Sequence, residues 1–354
     1  MDKTSQHPKK IALALGSGSA RGMAHIGVIQ RLSELGIRPD IICGTSVGAV
    51  IAGCYLTDKL DDFSEWIQSL STAQVLHYMS VSLTVTGGVA HATRLMDYFA
   101  REYGNPNIED LNIPFAAVAT DLLRGREIWL QRGPLWDAVR ASMALPGILT
   151  PVAFQNSWLV DGGLVNPVPV SLCRALGADI IIGVDLNSDL VGRKKVMTDV
   201  KAPANEEETE EEESEDEKFN LAIEGDEVDG DDPFLGAAFS RFANSVKEAA
   251  SNFKFSEDGK KPEPPSTIEV MMNTINIMQD RITRSRLAGE PADIMLCPRL
   301  RHIGLLEFSG AAEAIIEGRD AVDRMLPAIQ HAFDSEGDDR ITLPSGIEPE
   351  KEQS

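Results

Sequence analysis

The sequence predicts an α/β fold in which a largely parallel sheet lies between helical layers, with one acidic insertion. Two observations predict it. Short apolar runs alternate with helical patterns along most of the chain, as in strand–helix–strand crossovers. The alternation breaks at residues 205–232, which hold 16 acidic residues and one lysine. Like charges at that density cannot pack, so this stretch is expected to be a solvated, disordered loop. The 354 residues carry 33 Lys+Arg against 55 Asp+Glu, a net charge of −22, and most of that excess sits in the loop. Hydrophobic residues make up 43% of the chain, enough for a packed core.

The elements follow in order. IALAL (11–15) reads as a strand and leads through a glycine-rich turn, GSGSARG (16–22), into a helix ending near Leu35. DIIC (40–43) reads as the next strand and is followed by the turn GTSVG (44–48) and a second helix. FAAVAT (115–120), EIWL (127–130), WLV (158–160) and DIIIGVDL (179–186) continue the strands. After the insertion come a helix over 268–288, a last strand ADIMLC (292–297) and a closing helix over 309–333. The expected organisation is one domain. It has a disordered N-terminus (1–9), a core (10–189), the insertion (190–265), a C-terminal part of the same domain (266–334) and a disordered tail (335–354). Within the insertion, Leu235, Phe239, Phe242, Val246 and Phe253 share one helical stripe. That stripe covers a core or meets a membrane interface.

Composition excludes several functions. Nucleic-acid binding requires a clustered basic face, and the sequence shows none. The four cysteines, Cys43, Cys54, Cys173 and Cys297, form no CxxC pair and lie in apolar surroundings, which fits buried thiols in a reducing compartment and no metal site. The six-residue apolar run after Lys10 is too short for a signal peptide, and no stretch reads as a bilayer-crossing helix. A cytoplasmic protein is therefore expected.

Two glycine turns carry the chemistry. In GTSVG, between a strand and a helix, Ser46 would stand on a strained bend with its hydroxyl exposed. Gly44 and Gly48 would let strand and helix pass without collision. The alternative is an ordinary glycine turn. GSGSARG admits a dinucleotide loop or an oxyanion loop. The dinucleotide pattern wants glycine where Arg21 stands and an acid at the end of the second strand, whereas Asp40 lies at its start. Paired with Ser46, the oxyanion role leads, with Arg21 adding positive charge or holding the loop. A serine nucleophile needs a base. His302 and His331 have the order of an α/β-hydrolase, but neither sits in a glycine-framed strand-end loop. Asp161, in WLVDGG, ends a short strand where Gly162 and Gly163 allow close approach to another loop. A DGG turn is the plain alternative.

GSGSARG, GTSVG and DGG, in that order, resemble the patatin-like phospholipase family. The likeness extends through ARGMAHIGVIQRL, ATDL (119–122), ASMALPGILTPV (141–152) and DGGLVNPVPV (161–170). Residues 291–318 also look like bacterial members and the esterase domain of neuropathy-target-esterase relatives. The resemblance implies a three-layer α/β/α fold and a Ser46–Asp161 dyad that hydrolyses lipid esters without histidine or cofactor. It places the family's oxyanion glycines on Ser17, Gly18 and Ser19, followed by Arg21 and Gly22. Two of those glycines are serines here, so a positive φ at Ser17 or Ser19 would be strained. The implied partners are a lipid ester, with phospholipid or lysophospholipid expected, and transient contact with the inner face of a membrane. The alternative is a regulatory or scaffold protein that keeps the fold and acts through its acidic loop.

Overall fold

The computed structural model describes residues 9–70, 74, 78, 92–190, 267–304 and 307–334. The acidic tract, the 234–255 stripe and the 335–354 tail lie outside the described residues, as do residues 1–8 and nearly all of the polar stretch 71–91. The strands along the chain are β1 (Ile11–Leu15), β2 (Ile41–Thr45), β3 (Phe115–Asp121), β4 (Arg126–Leu130), β5 (Val152–Phe154), β6 (Ser157–Asp161), β7 (Ile180–Val184) and β8 (Ile294–Leu296). The described helices are α1 (Ala24–Glu34), α2 (Val47–Leu56), α3 (Leu60–Ser69), α4 (Thr93–Tyr103), α5 (Leu135–Ser142), α6 (Val170–Ala175), α7 (Thr267–Gly289), α8 (Ala311–Arg324) and α9 (Leu326–Asp334).

These strands form one sheet. β3, β2, β1, β7 and β8 run parallel in that spatial order, and β4, β5 and β6 pair antiparallel at the β3 end. β1, β2, β3 and β7 are buried along their whole length, which is why they read as near-continuous apolar runs. Their alternating side chains feed two cores. Ile11, Leu13 and Leu15 of β1 face one cluster with α1, α2, α5 and α8, while Ala12 and Ala14 face a second with Leu172 of α6 and Leu287 of α7. Helices on both faces of the sheet make the three layers.

Three expectations are corrected. Residues 309–333 are not one helix: α8 ends at Arg324 and α9 begins at Leu326, with Pro327 in its first turn. A proline there lacks the amide that would continue α8. A short strand the sequence reading missed, β5, pairs with β6 as a hairpin. Cys297 is exposed, because it falls just beyond the end of β8, whereas Cys43, Cys54 and Cys173 are buried.

Candidate active site

Ser46 occupies the single residue between β2 and α2, at φ 57° and ψ −122°. A positive φ is strained for a residue with a Cβ and persists only where its surroundings hold it. Here the Ser46 amide donates to Ser142 Oγ at 2.9 Å, and its carbonyl accepts from the Ala49 amide at 2.9 Å. The preceding Thr45 hydroxyl donates to the Asn166 carbonyl at 2.9 Å. A Cβ at Gly48 would lie 2.1 Å from the Leu15 carbonyl oxygen, and one at Gly44 would lie 2.6 Å from the Ala49 amide nitrogen. The absence of both lets α2 start directly against the strands.

Asp161 reaches Ser46 through β3. Ala117 pairs with Gly44 on one side and Leu130 on the other, while Ala119 pairs with Asp161 and Ile128. β4 therefore follows one side of β3, and on the other side β6 takes over where β2 ends. Thr45 lies opposite Val118 and Asp161 opposite Ala119, so the two strand ends meet. Ser46 Oγ donates to Asp161 Oδ2 at 2.5 Å. The second carboxylate oxygen, Oδ1, accepts from the Gly163 amide at 2.7 Å. Gly162 turns tightly over β3, where a Cβ would lie 2.2 Å from the Val118 carbonyl oxygen. Burial pushes the Asp161 carboxyl up to about 6, against the opposing pull of the Ser46 hydroxyl and the Gly163 amide.

The GSGSARG loop passes beside this pair. The Gly16 amide donates to the Val184 carbonyl at 3.1 Å and the Ser17 amide to the Pro167 carbonyl at 2.9 Å. Gly18 is extended at φ 167°, and Ser19 stands at φ 50°. Positive φ thus falls on Ser19, and Ser17 is not among the residues that adopt it. Arg21 is buried and holds the loop, donating to the Ile303 carbonyl at 3.1 Å and to Asn187 Oδ1 at 3.0 Å. Desolvation lowers its pKa to about 10, which leaves it cationic at neutral pH. Gly22 packs on Val47, whose side chain leaves no room for a Cβ. His25 Nε2 lies 2.8 Å from the Gly16 carbonyl oxygen. Burial lowers its pKa to about 4, so the ring is neutral and Nε2–H donates. His302 pairs with Glu313 at 2.9 Å on the surface.

Ser46 and Ser19 line a cavity whose remaining lining is mostly apolar, including Val50, Phe63, Trp66, Phe99, Leu145 and Leu149. Of these, Phe63, Trp66 and Phe99 form one aromatic cluster, in which Phe99 meets both other rings edge-on. Such a lining binds alkyl chains by burying their surface.

The family model for patatin-like phospholipases matches residues 13–174, a span that contains the loop, Ser46 and Asp161. An NTE family protein of Mycobacterium tuberculosis is 35% identical over 337 residues, covering 91% of this chain and 92% of that protein. The chain belongs to the patatin-like phospholipase family. Within it, lysophospholipase nte1 of Emericella nidulans is 37% identical over 189 residues, 51% of this chain and 12% of that protein. The corresponding protein of Coccidioides immitis is also 37% identical over 189 residues.

In this member of the family, sequence reasoning missed three polar residues around the site. Ser142 lies within the family-like ASMALPG segment but has no motif of its own. Asn187 follows β7, and Gln279 is one turn-facing residue among several polar positions of α7. Nothing in the local pattern singles them out.

Proposed function

We propose that this chain is a serine acyl hydrolase of lipid esters, of phospholipase A or lysophospholipase type. Ser46 is its nucleophile and Asp161 its general base. The observation that carries the reading is the 2.5 Å hydrogen bond from Ser46 Oγ to Asp161 Oδ2. Its setting, in the lining of an apolar cavity, supports a fatty acyl substrate.

As Ser46 Oγ bonds to the ester carbonyl carbon, its proton passes to Asp161 Oδ2. The carbonyl oxygen becomes an oxyanion. The Ser17 amide is committed to Pro167, so the donors in the loop are the amides of Gly18 and Ser19. Breaking the ester C–O bond releases an alkoxide, which takes the proton back from Asp161 and leaves an acyl-serine. Water then gives a proton to Asp161 as it attacks the acyl carbonyl, and Ser46 recovers that proton as the fatty acid departs. Aspartate is ordinarily too weak a base at neutral pH. A buried carboxyl raised to about 6 has a proton affinity closer to the working pH. The scheme needs no cofactor.

Among the described residues no helix is long and apolar enough to cross a membrane. The lipid is met by transient contact with the inner membrane face, in a compartment whose reducing character suits the buried free thiols of Cys43, Cys54 and Cys173. Labelling with a fluorophosphonate, followed by peptide mass analysis, tests the nucleophile. An adduct on Ser46 that is absent from Ser46→Ala is expected; a folded protein that takes no adduct overturns the reading.

A further inference from the structure

The loop before Arg21 and the turn after Asp161 meet at one side chain. Gln279 of α7 is 5% exposed. Its Oε1 accepts from Ser17 Oγ at 3.1 Å and from Asn187 Nδ2 at 3.2 Å. Its Nε2 lies against the other element: a Cβ built on Gly163 would come within 2.4 Å of Gln279 Nε2 and 3.0 Å of Asp161 Oδ1. Asn187 closes the network, donating to the Ser17 carbonyl at 3.2 Å and accepting from Arg21 at 3.0 Å. The Gly163 amide in turn fixes Asp161 Oδ1 at 2.7 Å. One amide side chain therefore touches both segments that frame Ser46.

We propose that Gln279 is a positioning residue that locks the 17–19 loop to the Asp161–Gly163 turn, with Ser17 as its partner. The inference rests on the Ser46–Asp161 hydrolase reading. The serine that stands where the family resemblance puts a glycine then has a role. Its hydroxyl gives Gln279 Oε1 a donor that glycine lacks, and the backbone on either side is held by Pro167 and Asn187. Gln279 touches no reacting atom. It acts by fixing where the Gly18 and Ser19 amides stand relative to Asp161, and small displacements of such donors are costly because their stabilisation depends on preset geometry.

The test compares Gln279→Met, Ser17→Ala and the double variant on a soluble acyl ester, with Ser46→Ala as the blank. Each single variant is expected to lower kcat about 10-fold while KM stays within about twofold, because the lock serves the transition state and the acyl cavity is built from other residues. The double variant is expected to lose about 10-fold in total, not 100-fold, since both changes break one contact. Equal wild-type and variant kcat, a KM effect without a kcat effect, or a full 100-fold product in the double variant overturns the proposal. Should Gln279→Met fail to fold, Ser17→Ala and Ser17→Gly carry the same test from the other end of the bond. Wild-type turnover no greater than that of Ser46→Ala would sink the hydrolase reading itself. Ser46-dependent turnover that is indifferent to Gln279 and Ser17 sinks only the lock.

Discussion

Ser46 and Asp161, 115 residues apart in sequence, share a hydrogen bond of 2.5 Å between Oγ and Oδ2. The strand ends that carry them meet on β3. β3 holds both, pairing with Thr45 at Val118 and with Asp161 one residue later at Ala119. Under the proposed mechanism, Ser46→Ala and Asp161→Asn each reduce esterase turnover at least about 1000-fold, with unchanged far-ultraviolet circular dichroism. Near-normal turnover of either purified variant would falsify the dyad.

The pH profile follows from the carboxyl raised to about 6. Asp161 must be ionised to accept the serine proton, so kcat/KM is expected to rise with pH through about 6 and level off above it. Asp185 is also buried and pushed up to about 6, chiefly by desolvation. It lies in a different environment, with one oxygen accepting from the Asn187 amide. Asp185→Asn should keep the acid limb near pH 6; its disappearance in that variant would assign the limb to the wrong carboxylate.

Burying an ionised Asp161 destabilises the fold above its native pKa. The native state holds this proton more tightly than the unfolded chain, whose aspartate has the ordinary value of 3.8. Stability contributed by this group therefore falls as pH rises from about 4 to about 6 and is flat beyond. Asp161→Asn, which removes the charge, should be more stable than wild type at pH 8 by on the order of 1–3 kcal/mol, and the gap should close toward pH 4. Urea unfolding at the two pH values measures it, and a less stable variant at pH 8 contradicts the reasoning.

Ser142 supports the strained bend from below, accepting from the Ser46 amide at 2.9 Å while itself fully buried. Ser142→Ala leaves that amide without its acceptor, a loss of about 1–3 kcal/mol in stability. Because the amide belongs to the residue at φ 57°, the same variant should also slow fluorophosphonate labelling of Ser46. Equal labelling rates would show that the bend holds without it.

The cavity makes a prediction about chain length. Val50 lies on α2 one turn beyond Ser46 and lines the apolar space. Val50→Trp fills part of that space. Expected is a loss of about 10-fold or more in kcat/KM for long-chain acyl esters with little change for acetate esters. A uniform loss across chain lengths would place the acyl group elsewhere.

Much of the fold was legible in the sequence by itself. The buried strands announced themselves as apolar runs because a sheet covered on both faces needs no alternation, and the glycine turns marked the positions where strand and helix approach too closely for a Cβ, as Gly48 does over Leu15. GSGSARG, GTSVG and DGG together identified the patatin-like phospholipase family, which the matched residues 13–174 bear out. What tertiary structure alone decided is which residues meet. The contact of Ser46 with Asp161 depends on strand register along β3, the support of Ser46 by Ser142 on how α5 docks, and the lock at Gln279 on a helix that follows an insertion of unrelated composition. Local patterns record the period of a strand and the chemistry of a turn, because those act within a few residues. Register and docking are summed over many weak contacts between distant segments, and no single residue carries their sign.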